Sequence, residues 1–224
     1  MISNRSVVKV VAGILILIGI FIVVTNFIPR VKFLKPSEVT EYQGEKLSTI
    51  NDFRENSIRG SQKVDTAIYQ LKITGLVSNP LSLNYRDVIK YNQNCKKVVK
   101  LDCVEGWSVN ILWEGILVRD LINKAKPLPQ TKVVIFKAYD GYSTSFPIDY
   151  LMKNDILMAY KMNNVTIPPE RGFPFQLVAE SKWGYKWIKW ITEIEISADE
   201  TYQGYWESRG YSNKGDLNKP FLGK

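Results

Sequence analysis

Nineteen residues from Val10 to Ile28 run without a charged side chain, relieved only by Gly13, Gly19, Thr25 and Asn26. As a helix rising 1.5 Å per residue this run spans about 28 Å, enough to cross a hydrocarbon core. A segment with no polar face cannot form the surface of a water-soluble domain, so any such domain must be built from the residues beyond it. The run exceeds the apolar region of a signal peptide and no small-x-small cleavage site follows, which predicts an uncleaved anchor. The chain therefore divides into a tail at 1–9, a transmembrane anchor at 10–28 and a linker at 29–49 that opens with Pro29 and Pro36. Arg5 and Lys9 before the run are balanced by Arg30, Lys32 and Lys35 after it, so the positive-inside rule does not choose an orientation. A short amino tail with a large domain behind it resembles a signal anchor. The expectation is a single-pass membrane protein whose domain is extracytoplasmic, the cytoplasmic face being the alternative.

The same residues explain the charge. The chain carries 30 Lys and Arg against 22 Asp and Glu, a net +8, and five of those cations flank the apolar run with no acid among residues 1–35. The excess borders a membrane segment instead of coating a face, which argues against a nucleic-acid partner. The two cysteines, Cys95 and Cys103, are too few for a disulfide scaffold. Histidine is absent, which removes His-based triads, HExxH zinc sites and any haem with a histidine ligand.

Beyond the linker, residues 50–66 read as irregular, with Asp52 to Gly60 a polar loop around Phe53 and Ile58. Ala67 to Val77 alternates as a strand and Leu81 to Tyr91 has helical spacing. Lys97 to Cys103 reads as a strand, Ile111 to Ala125 as a helix stopped by Pro127, and Ile148 to Met158 as another helix. Asp140-Gly141 sits between two β-rich runs and predicts a tight hairpin in which both central residues take positive φ. Phe175 to Val178 and Ile188 to Ile196 read as strands, with Arg171 to Pro174 a turn and Trp183 to Lys186 a loop. Strands and short helices interleave without βαβ repeats, so the expected fold class is α+β: a single domain of mixed sheets and short helices behind one transmembrane helix.

Chemistry concentrates in three places. Cys103 stands where a strand gives way to a glycine-containing loop, a position that can hold a soft ligand while leaving its far side open. The competing reading is a small buried hydrophobe, the usual fate of a free cysteine. Arg171-Gly172-Phe173-Pro174 is the second place. The third is Lys182 to Trp190, where three lysines and three tryptophans surround Gly184: aromatic rings to stack a flat ligand and ammonium groups to neutralise a phosphate, or else a core strand with snorkelling lysines.

Taken together, Cys103-Val104-Glu105-Gly106-Trp107-Ser108 with Trp113-Glu114-Gly115 resembles the molybdenum-binding segment of the sulfite oxidase family of molybdopterin-dependent oxidoreductases. Ala138-Tyr139-Asp140-Gly141-Tyr142-Ser143, Arg171 to Pro174, Gly184 to Trp190 and Gly204-Tyr205-Trp206 are similar to further blocks of that family in the same order. The resemblance covers roughly residues 50–212, leaving 213–224 as a C-terminal tail. It implies a sulfite-oxidase-type molybdopterin-binding domain, with a molybdenum-molybdopterin cofactor whose metal takes two sulfurs from the pterin dithiolene and a third from Cys103. By position it also implies cofactor contacts at Arg171, Gln176, Lys186 and Lys189, and main-chain contacts at Trp187 and Ile188. Lys137 or Ala138 would supply a further contact, and Arg54 and Asn56 a covering segment. The implied activity is two-electron oxygen-atom transfer on a small oxyanion or sulfoxide. Electrons would be exchanged with a separate cytochrome, quinone-linked or flavin protein.

The sequence departs from the family at Gln176, where arginine is usual, and the arginine cluster that recognises sulfite is not placed on it, which leaves the substrate open. It has no room for the added haem and dimerisation domains of vertebrate-type members, and Arg5 alone does not make a twin-arginine signal. Gln176 and the unplaced arginines support an alternative, a binding module that kept the fold and lost the cofactor, while the lone Arg5 counts against an extracytoplasmic domain.

Overall fold

The computed structural model describes residues 37–91 and 95–223. The tail expected at 1–9, the anchor expected at 10–28 and the first part of the linker lie outside the described residues. Among the described residues no helix is long and apolar enough to cross a membrane.

In chain order the elements begin with a small hairpin, β1 (Glu41–Tyr42) and β2 (Glu45–Lys46), then β3 (Gln70–Gly75), β4 (Leu81–Asn84) and α1 (Tyr85–Ile89). Next come β5 (Cys95–Asp102), β6 (Ser108–Leu117), α2 (Val118–Ala125), β7 (Val133–Ala138), β8 (Ser143–Pro147) and α3 (Ile148–Lys153). The last are β9 (Leu157–Met162), β10 (Val165–Thr166), β11 (Gln176–Val178) and β12 (Ile191–Ser197). One five-stranded sheet has the order β4-β3-β12-β7-β8, and the other runs β10-β9-β6-β5 with β11 also paired to β9. Among the described residues only β3 and β12 pair in parallel. Mixed sheets with few short helices match the α+β expectation. Alternation explains the first sheet: β3 buries Leu71 and Ile73 and exposes Gln70 and Lys72.

The expected helices are shorter than the sequence suggests. Leu81 to Tyr91 splits into β4, whose Leu81 and Leu83 pair with Ile73 and Leu71, and α1, capped where the Asn84 side chain accepts from the Asp87 amide at 3.0 Å. Ile111 to Ala125 is divided: Ile111 to Leu117 belong to β6, and only Val118 to Ala125 form the expected helix, as α2. Both faces of β6 are buried from Ile111 to Ile116, so it loses the alternation that marks a strand with one face in solvent. Its Gly115 is required by that packing, since a Cβ there would sit 2.4 Å from the Met158 carbonyl oxygen. Ile148 to Met158 likewise ends as a helix at Lys153, and Leu157 already belongs to β9.

The hairpin forms where expected, by a different turn. Gly141 donates to the Ala138 carbonyl and Ala138 to the Tyr142 carbonyl, and only Gly141 has positive φ, at 86°. This is a three-residue loop with a glycine bulge, and it leaves the Asp140 carboxylate to accept from the Tyr142 amide at 3.0 Å.

The ends of the described chain are seated on the domain. In the expected linker, Glu38 accepts from the Ile50 amide and from Asn163 Nδ2, and Leu47 is buried. In the expected tail, Asn213 accepts from Lys186 and Phe221 packs edge-on against Trp183. Their polar composition hid these contacts, because a single carboxylate, a backbone carbonyl and isolated apolar residues make them.

Candidate active site

The site grows from the end of β5. Past Asp102 the chain makes a tight turn in which the Cys103 amide donates to Trp107 and the Gly106 amide returns to Cys103. Gly106 supplies the positive φ of 87° that the turn needs. Gly184 lies against the same backbone: a Cβ there would be 3.2 Å from the Asp102 carbonyl oxygen and 3.4 Å from the Cys103 Cα. The result is a cysteine 8% exposed at the wall of a cavity of about 560 Å³. Burial pushes its thiol pKa up, while main-chain groups of the turn and the Asn56 amide, 3.8 Å from Sγ, pull the other way.

Two carboxylates frame this thiol and its covering loop. Glu105 accepts from Trp107 Nε1 at 2.9 Å and from Asn56. Those bonds, with the Arg54 charge nearby, hold its carboxyl below the usual range. Residues 53–58 cover the cavity, and Arg171 fastens them. Its guanidinium donates to the carbonyls of Ile50, Phe53 and Arg54 at 3.0, 2.6 and 3.0 Å and lies 3.8 Å from the centre of the Phe53 ring. Lys189 donates to Glu55 Oε1 at 2.8 Å and to the Glu170 carbonyl, and lies over the Trp190 ring. Gly172, at φ 107°, makes room for it, since a Cβ there would meet the Lys189 side chain at 3.0 Å.

Most of the residues expected at the site share this one cavity: Arg54, Asn56, Cys103, Arg171, Gln176, Trp187, Ile188 and Lys189. Three do not line it. Lys186 is fully buried behind the wall, donating to Glu207 Oε1, the Ser145 carbonyl and the Asn213 carbonyl. Lys137 sits on the outer face of the sheet between Glu193 and Glu195. The Ala138 main chain is consumed by the hairpin, which brings Asp140 and Tyr142 to the cavity instead. Strand alternation separates Lys137 from the site, and the glycine bulge re-aims the residues after it. Sequence reasoning missed Glu55, Glu105 and Trp107 as lining residues, although all three stand inside or beside the stretches it singled out.

The donor set suits a metal that arrives with its own ligands. Among the described residues no group of three or more His, Cys, Asp or Glu side chains converges as a metal site. What the cavity offers is one thiol, a soft donor, with amides and a cation around a volume in the range of cofactor pockets. A molybdopterin, whose dithiolene brings two sulfurs, needs no more than that one protein ligand.

Known proteins agree with this chemistry. The family described as the oxidoreductase molybdopterin binding domain matches residues 59–206. An uncharacterized oxidoreductase, YuiH of Bacillus subtilis, is 32% identical over 153 residues, covering 68% of this chain and 76% of that protein. The protein-methionine-sulfoxide reductase catalytic subunit MsrP of Campylobacter jejuni is 30% identical over 172 residues, covering 69% of this chain and 57% of its own length. Among solved structures, the sulfane dehydrogenase SoxCD of Paracoccus pantotrophus shares the fold with a TM-score of 0.61 at 23% identity, covering 69% of this chain and 43% of that one.

Proposed function

The chain belongs to the oxidoreductase molybdopterin binding domain family, whose members are molybdenum-molybdopterin enzymes, and on that premise we propose how its own residues serve the cofactor. Cys103 is the protein's ligand to the metal. As that ligand Cys103 would be a thiolate, against the upward pull of burial on its pKa. Trp187 and Ile188 contribute main-chain groups and Lys189 a cation, while Gln176 and Asn56 present amides. Arg171 is a positioning residue: its donors fasten the covering segment and leave Arg54 and Asn56 at the cavity. When bound, the cofactor supplies two-electron oxygen-atom transfer. The substrate is a small oxyanion or sulfoxide, which the open side of the Cys103 turn admits.

The electrons are exchanged with a separate protein, a reading supported by the Campylobacter relative being named a catalytic subunit. Val10 to Ile28 anchors the chain in a membrane, supported by the length of that apolar run, and the domain is extracytoplasmic, supported by the short tail before the run and the large domain after it, the cytoplasmic face being the alternative. Protease protection of sealed vesicles tests this: digestion of the domain only after permeabilising the cytoplasmic side would reverse the orientation.

The observation that carries the proposal is the Cys103 thiol at the wall of a cofactor-sized cavity with Asn56 reaching its sulfur. The test is molybdenum by plasma mass spectrometry, with pterin fluorescence, on protein from a cofactor-competent host. Near-stoichiometric metal is expected in the native protein, with altered binding in Cys103→Ser. Folded native protein without metal or pterin would overturn the proposal.

A further inference from the structure

Electron exchange with a separate protein, the reading on which this inference rests, requires a surface beside the cavity where that protein can dock. The end of the described chain supplies one. Residues 205–223 form a strap tied by ring contacts: Trp206 lies 5.0 Å from Tyr211, and Tyr211 lies 5.8 Å from Phe221, centre to centre. A bridge between Tyr211 and Leu222 closes it. Trp206 and Tyr211 also line the cavity, so the strap is part of its rim.

The charges of the strap are one-sided. Its acids are Glu207, buried against Lys186, and Asp216, paired with Lys182. Its cations are exposed. Among the described residues the Lys214 and Lys219 ammonium groups have no hydrogen-bond or ion-pair partner. Arg209 lies 3.7 Å over the centre of the Tyr205 ring, and its acceptors are the Tyr205 carbonyl and the Ser208 hydroxyl, neither of them charged.

Elsewhere the rim is mixed. Arg54 is exposed on the covering segment with Glu105 in electrostatic reach, and Lys189 is paired with Glu55. Asp199 and Glu200 follow β12 at the end remote from the hairpin, where Ser197 pairs with Val133. Positive charge without a counter-charge therefore collects on the strap. Exposed apolar surface collects there too. Of three exposed large apolar side chains among the described residues, Leu222 is on the strap. Tyr139 is on the hairpin whose Tyr142 ring packs against Tyr205. Aromatic rings and arginine are the residues that most often anchor protein interfaces.

We propose that this strap, with the hairpin beside it, is the docking surface for the electron-exchanging protein, and that the partner presents an acidic face around its redox group. The cations steer that face to the rim, and the rings pack against it over the small area that transient redox encounters use. An anionic lipid surface would match the charge as well, but pressed against Trp206 and Tyr211 it would cover the cavity rim.

Flavodoxin, a small acidic flavoprotein, is the probe, beside the same protein with its carboxylates amidated. Binding to the molybdenum-loaded full chain in neutral-lipid nanodiscs is measured by interferometry. Native protein is expected to bind flavodoxin at least about tenfold more tightly than the amidated form, and less tightly as salt rises. Combining Arg209→Glu, Lys214→Glu and Lys219→Glu should weaken binding at least about tenfold. The same charge change at Lys72, Lys90 and Lys124, which do not line the cavity, should weaken it less than about twofold. If the triple strap variant does not fold, Arg209→Gln with Lys219→Gln carries the test, with a loss of about threefold expected. Equal losses at the two places would overturn the inference, because net charge alone would then explain binding. So would no binding, or a preference for the amidated probe. Protection of residues 205–223 from deuterium exchange by anionic but not neutral nanodiscs would overturn it as well, making the strap a lipid-facing surface. Reduced viologen judges the underlying reading separately. Molybdenum that viologen could not reduce would end the electron-exchange reading, whereas reducible molybdenum with equal losses would sink only the docking surface.

Discussion

Lys186 and Lys189 leave the same stretch of chain three residues apart, and the structure uses them in opposite ways. Lys186 turns behind the cavity wall, wholly buried, between Glu207 and the carbonyls of Ser145 and Asn213, with Phe146 beneath it. Burial draws its ammonium pKa below the ordinary value even with Glu207 in contact, and Glu207 Oε2 has no hydrogen-bond partner. A pair so desolvated contributes position more than net stability. Lys189 turns the other way, keeps 15% of its side chain exposed, and meets Glu55 at the cavity. One lysine fixes the wall and the other faces what the wall encloses. The lesson is that a cation's partners, and not its place in a lysine-rich motif, determine whether it is available to a ligand.

The comparison breaks most visibly at the buried lysine. Lys186→Met should cost about 3–5 kcal/mol in urea denaturation, because it strands the Glu207 carboxylate. Combining it with Glu207→Leu should cost less than the sum of the two single changes, since the stranded charge goes too. An additive double variant would show that the two side chains act independently.

A smaller effect is expected beside Lys189. Gly172→Ala should lose more than about 1 kcal/mol from its positive φ alone. Gly210 also has positive φ, and a Cβ there would meet nothing within 4 Å, so Gly210→Ala isolates the backbone cost. The excess loss at Gly172 then measures how firmly Lys189 and Gln176, whose Cβ would lie 3.2 Å away, are held, and equal losses would mean that both yield freely.

The smallest effect belongs to the cavity pair itself. Glu55→Gln should cost at most about 1 kcal/mol at neutral pH, as for other partly exposed pairs. Burial alone would raise the Glu55 pKa, but the hydrogen bond and charge of Lys189 outweigh it and hold the carboxyl below its ordinary value. A depressed carboxyl pKa stabilises the folded state above the unfolded value of about 4.3. That contribution fades as pH falls through the folded value. The stability difference between native protein and Glu55→Gln should therefore be present at pH 7 and vanish in acid; a difference that grew on acidification would reverse the assigned sign.

Much of the site was legible because it lies in short stretches of unusual composition. The Cys103 turn, Arg171 and the segment from Trp187 to Lys189 were visible as residues, and the fold brings them to one cavity. Which lysine faces inward was not legible, since the turn at Gly184–Lys186 and the positive φ of Trp190 interrupt any regular period. The fold class was readable for the same local reason, from the alternation in β3 and the hairpin at Asp140-Gly141. The misread element was β6, where burial on both faces erases the pattern that separates a strand from a helix. Glu55 and Glu105 escaped notice because a carboxylate in a polar loop acquires meaning only from its partners in space.

Asn213 gives the wall a place in time as well. Its carbonyl completes the coordination of the Lys186 ammonium, and the Gly215 carbonyl receives the Trp183 amide. A chain emerging from the ribosome makes the cysteine turn and the lysine-bearing segment before it makes either acceptor. The wall cannot close during synthesis until residues 213–215 have left the exit tunnel, so a cofactor offered to the nascent chain before that point would meet a half-built receptacle.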